Sequence, residues 1–242
     1  TCDAACFRST SQASVLVSPT KTTVFTQHVS DQDGMVSRDD VTVEVSPHPG
    51  LAGNDDLLDP GSSVAIGPTP VGASTYLWSC DRPACALSDS KVAQPLAAPT
   101  LSTRYLLRAE SGRGCRVDSS KVVWVSLRHT SDPASGDPSF PISAQLQVRF
   151  DQPLLAATIN PTNVKLADSL TGAAIPISVA YDAAAQVLRV TPPAAGTNGY
   201  LVGNDYTLTL VGGLSGILSA DPVLPNLLPV DAQIDFTTGP AD

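Results

Sequence analysis

Apolar and polar residues alternate along this chain in short runs, which is the period of strands with one buried face. The clearest run is residues 144–150, where Ala144, Leu146, Val148 and Phe150 alternate with Gln145, Gln147 and Arg149. The same pattern predicts strands over residues 14–17, 22–29, 63–66, 74–79, 103–109 and 119–127, and a half-buried one carrying Val41, Val43 and Val45. Beyond residue 139 it predicts strands at 163–167, 175–181 and 186–191, one through Tyr206, Leu208 and Leu210, and a last one through Ala232, Ile234 and Phe236. Residues 154–158 read as a single helical turn, and residues 181–184 as a hairpin turn. On the inner faces these strands place Tyr76 with Trp78, Tyr105 with Leu107, and Val123 with Val125. By the same alternation Val122 and Trp124 point the other way. The outward tryptophan is either covered by its own sheet neighbours or lies in a contact with an adjoining module or subunit.

Part of the pattern occurs twice. Pro19-Thr20-Lys21-Thr22-Thr23-Val24-Phe25 lines up with Pro99-Thr100-Leu101-Ser102-Thr103-Arg104-Tyr105, and the same offset pairs Gly34 with Gly114, Val43 with Val123 and Val45 with Val125. Upstream, Thr1-Cys2-Asp3 matches Ser79-Cys80-Asp81, with a second cysteine after each, Cys6 and Cys85. Repetition on this scale marks tandem modules. The expected organisation is a partial module over residues 1–46, a complete one over 47–127, a linker of Ser, Asp, Pro and Gly over 128–138, and a domain of different pattern over 139–242. The first module lacks counterparts of the residues that open the second. Further chain, or another molecule, is expected to supply those strands.

Composition supports strands and turns. The chain has 21 Asp against 2 Glu and 10 Arg against 4 Lys, with 21 Pro and 17 Gly; strong helix formers are scarce and turn formers abundant. A net charge of −9 without clustered Lys and Arg argues against nucleic acid as a partner. No apolar stretch approaches the roughly 18 residues of a membrane-spanning helix, so this segment is not expected to insert in a membrane. The start at Thr1 reads as a mature or trimmed terminus.

The cysteines are the most informative chemistry. Cys2 with Cys6, and Cys80 with Cys85, each flank a short loop at the end of a strand. A four-thiolate metal site would need sulfurs from separate modules with no histidine nearby, so local disulfides in an oxidising compartment are the better reading. Each would contribute about 2 kcal/mol on a chain-entropy estimate. Asp31 with Asp33, Asp39 with Asp40, and Asp55 with Asp56 lack the spacing of a calcium loop and read as solvated turn residues. His28, His48 and His129 are scattered, and no hydrolase, zinc-protease or phosphate-loop motif occurs. No catalytic residue, cofactor or metal site is expected.

The first two modules resemble the PKD-like or gliding-motility-type Ig-like repeats of large bacterial surface proteins. The residues that carry the likeness are Tyr76-Leu77-Trp78-Ser79-Cys80, Cys85, the segment from Pro99 to Tyr105, and Gly114-Cys115. The third domain is similar to the bacterial Ig-like domain of S-layer-associated proteins, through residues 148–154, 179–183, 190–192, 206–209 and 236–239. The resemblance implies all-β, tandem Ig-like β-sandwiches, with Trp78 in a core of apolar contacts where other Ig domains have an inter-sheet disulfide. It also implies a partner for Cys115 near residue 59, but Asp59 stands there. Cys115 is therefore expected to be an unpaired, buried thiol, the alternative being a bond to another chain or to missing sequence.

The reading that follows is a non-catalytic stalk, filament, surface-layer or adhesin segment at the surface of a bacterium, outside it, or in the periplasm. Protein partners or self-association are expected, with contacts through Trp124 and Val122, and a glycan remains a candidate ligand. The alternative is a carbohydrate- or protein-binding accessory region of a larger secreted enzyme.

Overall fold

The computed structural model describes residues 14–193 and 199–240. Strands β1 (Thr23–Ser30) and β2 (Val36–Val43) form an antiparallel hairpin, turned at Asp31, whose Oδ1 accepts the amides of Asp33 and Met35. Val41 is exposed rather than half-buried; Val43 and Val45 are half-buried. The expected strand over residues 14–17 shrinks to a bridge at Val17.

The complete module has a four-stranded sheet in the order β3-β8-β7-β5, from β3 (Asp56–Leu58), β5 (Thr75–Cys80), β7 (Thr103–Glu110) and β8 (Arg116–Val125). A two-stranded sheet of β4 (Val64–Ala65) and β6 (Leu96–Ala97) accompanies it. Tyr76, Trp78, Tyr105, Leu107, Ala109 and Val123 meet Ile66, Ala93 and Ala97 in one core. Trp78 fills it and donates Nε1–H to the Val92 carbonyl at 3.1 Å. Gly67 makes room: with φ at +100°, a Cβ there would lie 2.5 Å from the indole and 2.3 Å from the Ala93 carbonyl.

Asp55 and Asp56 depart from the solvated-turn expectation. The Asp55 carboxylate accepts the Val122 amide at 2.7 Å, and Asp56 accepts from the buried Lys121 ammonium at 2.7 Å. They fix β3 beside β8 in a parallel register with Asp56 opposite Val123. Burying an ammonium is tolerable only beside such a partner.

The last unit is a sandwich of two sheets. One runs β10-β17-β16-β12-β13, from β10 (Asp137–Pro141), β12 (Val164–Asp168), β13 (Ala174–Ile175), β16 (Asp205–Leu210) and β17 (Ala232–Gly239). The other runs β14-β15-β11-β9, from β9 (His129–Asp132), β11 (Leu146–Phe150), β14 (Ser178–Asp182) and β15 (Val187–Thr191). Leu146, Val148, Phe150, Leu188 and Val190 face Leu166, Tyr206, Leu208, Leu210, Ile234 and Phe236 across one core.

Residues 128–138 are not a linker: β9 pairs antiparallel with β11, and β10 begins at Asp137 and pairs parallel with β17. The polar composition of β9 misled because it is an edge strand with an alternating half-exposed pattern. The single strand expected over residues 175–181 is two strands in opposite sheets, broken at Pro176, which has no N–H for a ladder. The expected helical turn is a 3-10 turn at Ala156–Thr158.

Because Leu188 is wholly buried between the two sheets of the last sandwich, Leu188→Ala is expected to cost about 3 kcal/mol. Urea unfolding followed by tyrosine fluorescence checks this; a loss below about 1 kcal/mol would contradict the packing.

Candidate interaction surfaces

The chain passes from the end of β8 straight into the last unit. Val123 lies in the middle core, and Leu127, four residues on, lies in the last core. Between them the amide and hydroxyl of Ser126 both donate to the Leu58 carbonyl, at 2.8 and 3.0 Å. Segment 218–228 of the last unit closes on this crossing point. Leu127 donates its amide to the Leu227 carbonyl at 2.8 Å, Leu227 donates to Val125 at 3.3 Å, and Ser126 and Leu227 form a parallel bridge.

Side chains complete the joint. Asn226 is wholly buried, and its Oδ1 accepts both the amide and the hydroxyl of Ser102, at 2.8 and 2.9 Å. The Ser102 hydroxyl in turn accepts the Val125 amide at 3.0 Å. Beside it, Arg82 meets Asp221 in a fork: Nη1 to Oδ2 at 3.2 Å and Nη2 to Oδ1 at 2.9 Å, with side chains only 12% and 11% exposed. Pairs this well matched and shielded are the strong class of ion pair. Burial pushes the Asp221 carboxyl up, but the Arg82 hydrogen bonds and the Val223 and Leu224 amides outweigh it. The group sits below the usual carboxylate range. Neither sequence alternation nor any motif marked residues 211–231. The only signals were an Asp-Pro at 221–222 and an Asn among leucines at 226.

Cys80 and Cys85 are joined by a disulfide, and Tyr105 donates its hydroxyl to the Cys85 carbonyl at 2.8 Å. Burial, with Asp81 nearby, pushes the Tyr105 hydroxyl up to about 12, so it stays a donor at any physiological pH. Cys2 and Cys6 lie outside the described residues. Cys115 is a free thiol, and it is exposed rather than buried. It sits in the tight β7–β8 turn, where its amide donates to the Ser111 hydroxyl at 3.1 Å and no sheet covers it.

The outer face of β5, β7 and β8 carries Leu77 and Leu106, both exposed, above a shallow depression lined by Ser79, Arg108, Asp118 and Ser120. Trp124 belongs to this face, opposite Leu57 in the β3–β8 pairing, and is half-buried. Val122, expected to be available for contact, is instead buried, 8% exposed; β3 lies alongside and Asp55 takes its amide. Among the described residues no group of three or more His, Cys, Asp or Glu is placed to hold a metal ion, and no helix is long and apolar enough to cross a membrane.

No known family profile matches the chain, and no curated protein matches it. Solved structures similar to it include the N-terminal part of the bacterial S-layer protein SbsC, at 16% identity and a TM-score of 0.34, covering 47% of this chain and 24% of that one. CopC from Methylosinus trichosporium OB3b is similar at 19% identity and a TM-score of 0.34, covering 48% and 95%. The four N-terminal Ig domains of Dscam1 isoform 6.9 are similar at 13% identity and a TM-score of 0.36, covering 86% and 52%. The chain thus spans about a quarter of the S-layer chain it matches. None of these likenesses is close enough to carry function. The fold is all-β, with tandem Ig-like sandwiches.

Two outcomes are expected. A maleimide added to the native protein labels Cys115, mapped by peptide mass spectrometry, and labels Cys80 and Cys85 only after reduction. Because the Asp221 carboxyl is depressed in the folded state, its stabilising contribution is complete above the unfolded value near about 4 and is lost as pH falls through the folded value. Denaturant unfolding should therefore show wild type exceeding Asp221→Asn at neutral pH, with the gap closing below about pH 4.

Proposed function

We propose that the chain is a non-catalytic structural or adhesive segment of a bacterial extracellular or cell-surface protein, built from tandem Ig-like modules divided near residues 46 and 128. The observation that carries this reading is the joint. A chain that leaves one core at the end of β8 and enters the next within four residues, Val123 to Leu127, leaves no flexible linker between two sandwiches, which suits a spacer or stalk. The Cys80–Cys85 disulfide supports an oxidising location, outside the cell or in the periplasm. The resemblance to PKD-like and S-layer-associated repeats supports a surface-layer, filament or adhesin setting. Protein partners or further copies of the chain would meet the exposed Leu77 and Leu106 and the half-buried Trp124 on the outer sheet face.

Negative-stain microscopy of the purified protein tests this. Rods, or rods joined end to end or in sheets, are expected, and compact particles with the two sandwiches folded back on each other would overturn the spacer reading. A glycan array run beside it decides the accessory-region alternative: saturable binding to one polysaccharide class would favour that reading over the structural one.

A further inference from the structure

The loop closed by the Cys80–Cys85 disulfide carries Arg82, and Arg82 touches the last sandwich more than its own. Its Nε and Nη2 donate to the Ser102 carbonyl at 2.9 and 2.6 Å, Nη1 and Nη2 to Asp221, and Nη2 also to the Leu224 carbonyl at 3.1 Å. A fork of this kind requires a guanidinium held in one plane and one direction. The loop provides that restraint. The disulfide closes it, Tyr105 holds the Cys85 carbonyl, and Asp81 exchanges two bonds with Arg104, amide to carbonyl at 3.2 Å and carboxylate from amide at 3.1 Å.

The internal repeat separates what the module needs from what the joint needs. Cys80-Asp81-Arg82 corresponds to Cys2-Asp3-Ala4, so the repeated unit keeps the cysteine and the aspartate and does without the arginine. The bond from the Val125 amide to the Ser102 hydroxyl, by contrast, recurs as Val45 to Thr22 at 3.1 Å, and is therefore a module feature. Arg82 is an addition to the unit that is followed by a sandwich bearing Asp221.

We infer that the Cys80–Cys85 loop is a latch between sandwiches: its disulfide positions Arg82 on Asp221 and Leu224 and thereby fixes the angle between the middle and last units. The inference concerns stiffness and is independent of what the protein binds. Opening the latch needs only the reduction of one disulfide to two thiols, which takes two electrons and two protons from an added dithiol, itself oxidised to a disulfide. Arg82 is then a positioning residue whose loss loosens the joint without dissolving either core.

The test is the width of the distance distribution between two probes, one at Ser120 and one at Leu170, both exposed and in different sandwiches, attached by azide chemistry that spares thiols. The unmodified chain is expected to give one narrow distance. Arg82→Ala, the double variant Cys80→Ser with Cys85→Ser, and wild type treated with a dithiol should each broaden it at least two-fold, while unfolding of the cores stays cooperative. Arg108→Ala, an exposed arginine of the same module, should leave the width unchanged. A width unaltered in Arg82→Ala overturns the latch. Broadening in Arg82→Ala with none in the cysteine variant or on reduction overturns the part assigned to the disulfide. Should Arg82→Ala fail to fold, the reduced wild-type chain decides the question alone.

Discussion

Two hydrophobic cores meet on one short run of chain at the end of β8. Val123 belongs to the middle core and Leu127 to the last, so the three residues between them have no freedom to act as a linker. The backbone polar groups at the crossing must still be satisfied, because water reaches them poorly. Ser126 to Leu58, Leu127 to Leu227 and Leu227 to Val125 do this with main-chain bonds that tie the two units to each other. The direction of the last sandwich relative to the middle one follows from that accounting.

Side-chain polarity at the joint then narrows the geometry further. A patch of leucines would also exclude water, but it would tolerate many docking angles. Asn226 accepting twice from Ser102, and Arg82 meeting both oxygens of Asp221, tolerate few. The choice carries a cost: the Nδ2 of Asn226 is buried without a hydrogen-bond partner among the described residues, a loss of about 1–3 kcal/mol. Its retention in a wholly buried position fits a site where orientation counts for more than maximal stability.

The hairpin β1–β2 shows what the module does before such a joint is built. It repeats β7–β8 strand for strand and keeps the bond from a valine amide to a hydroxyl, Val45 to Thr22, yet Val29 and Val41 are exposed where their counterparts Ala109 and Lys121 in the middle module are buried. It touches the middle module through polar contacts, Ser46 with Ser111 and Glu44 with Arg113. Local sequence can draw a hairpin. Only its first residues, Thr23 and Phe25, are buried on the face that carries Val29 and Val41.

The sequence by itself determined the strands, their inner faces and the all-β class, because a period of two fixes which side chains share a face whatever lies opposite. Tyr76 with Trp78, Tyr105 with Leu107, and Ile234 with Phe236 were legible for that reason, as was the Cys80–Cys85 staple from its spacing. Tertiary structure alone decided the rest. That polar residues 129–132 form an edge strand, that Pro176 sends one apolar run into two sheets, that Val122 is covered and Cys115 is not, all depend on neighbours far along the chain. Arg82 and Asp221 are separated by 139 positions, and nothing in either's local sequence encodes the other. Alternation reports how a strand faces its own sheet; only packing reports which sandwich the next polar residue will meet.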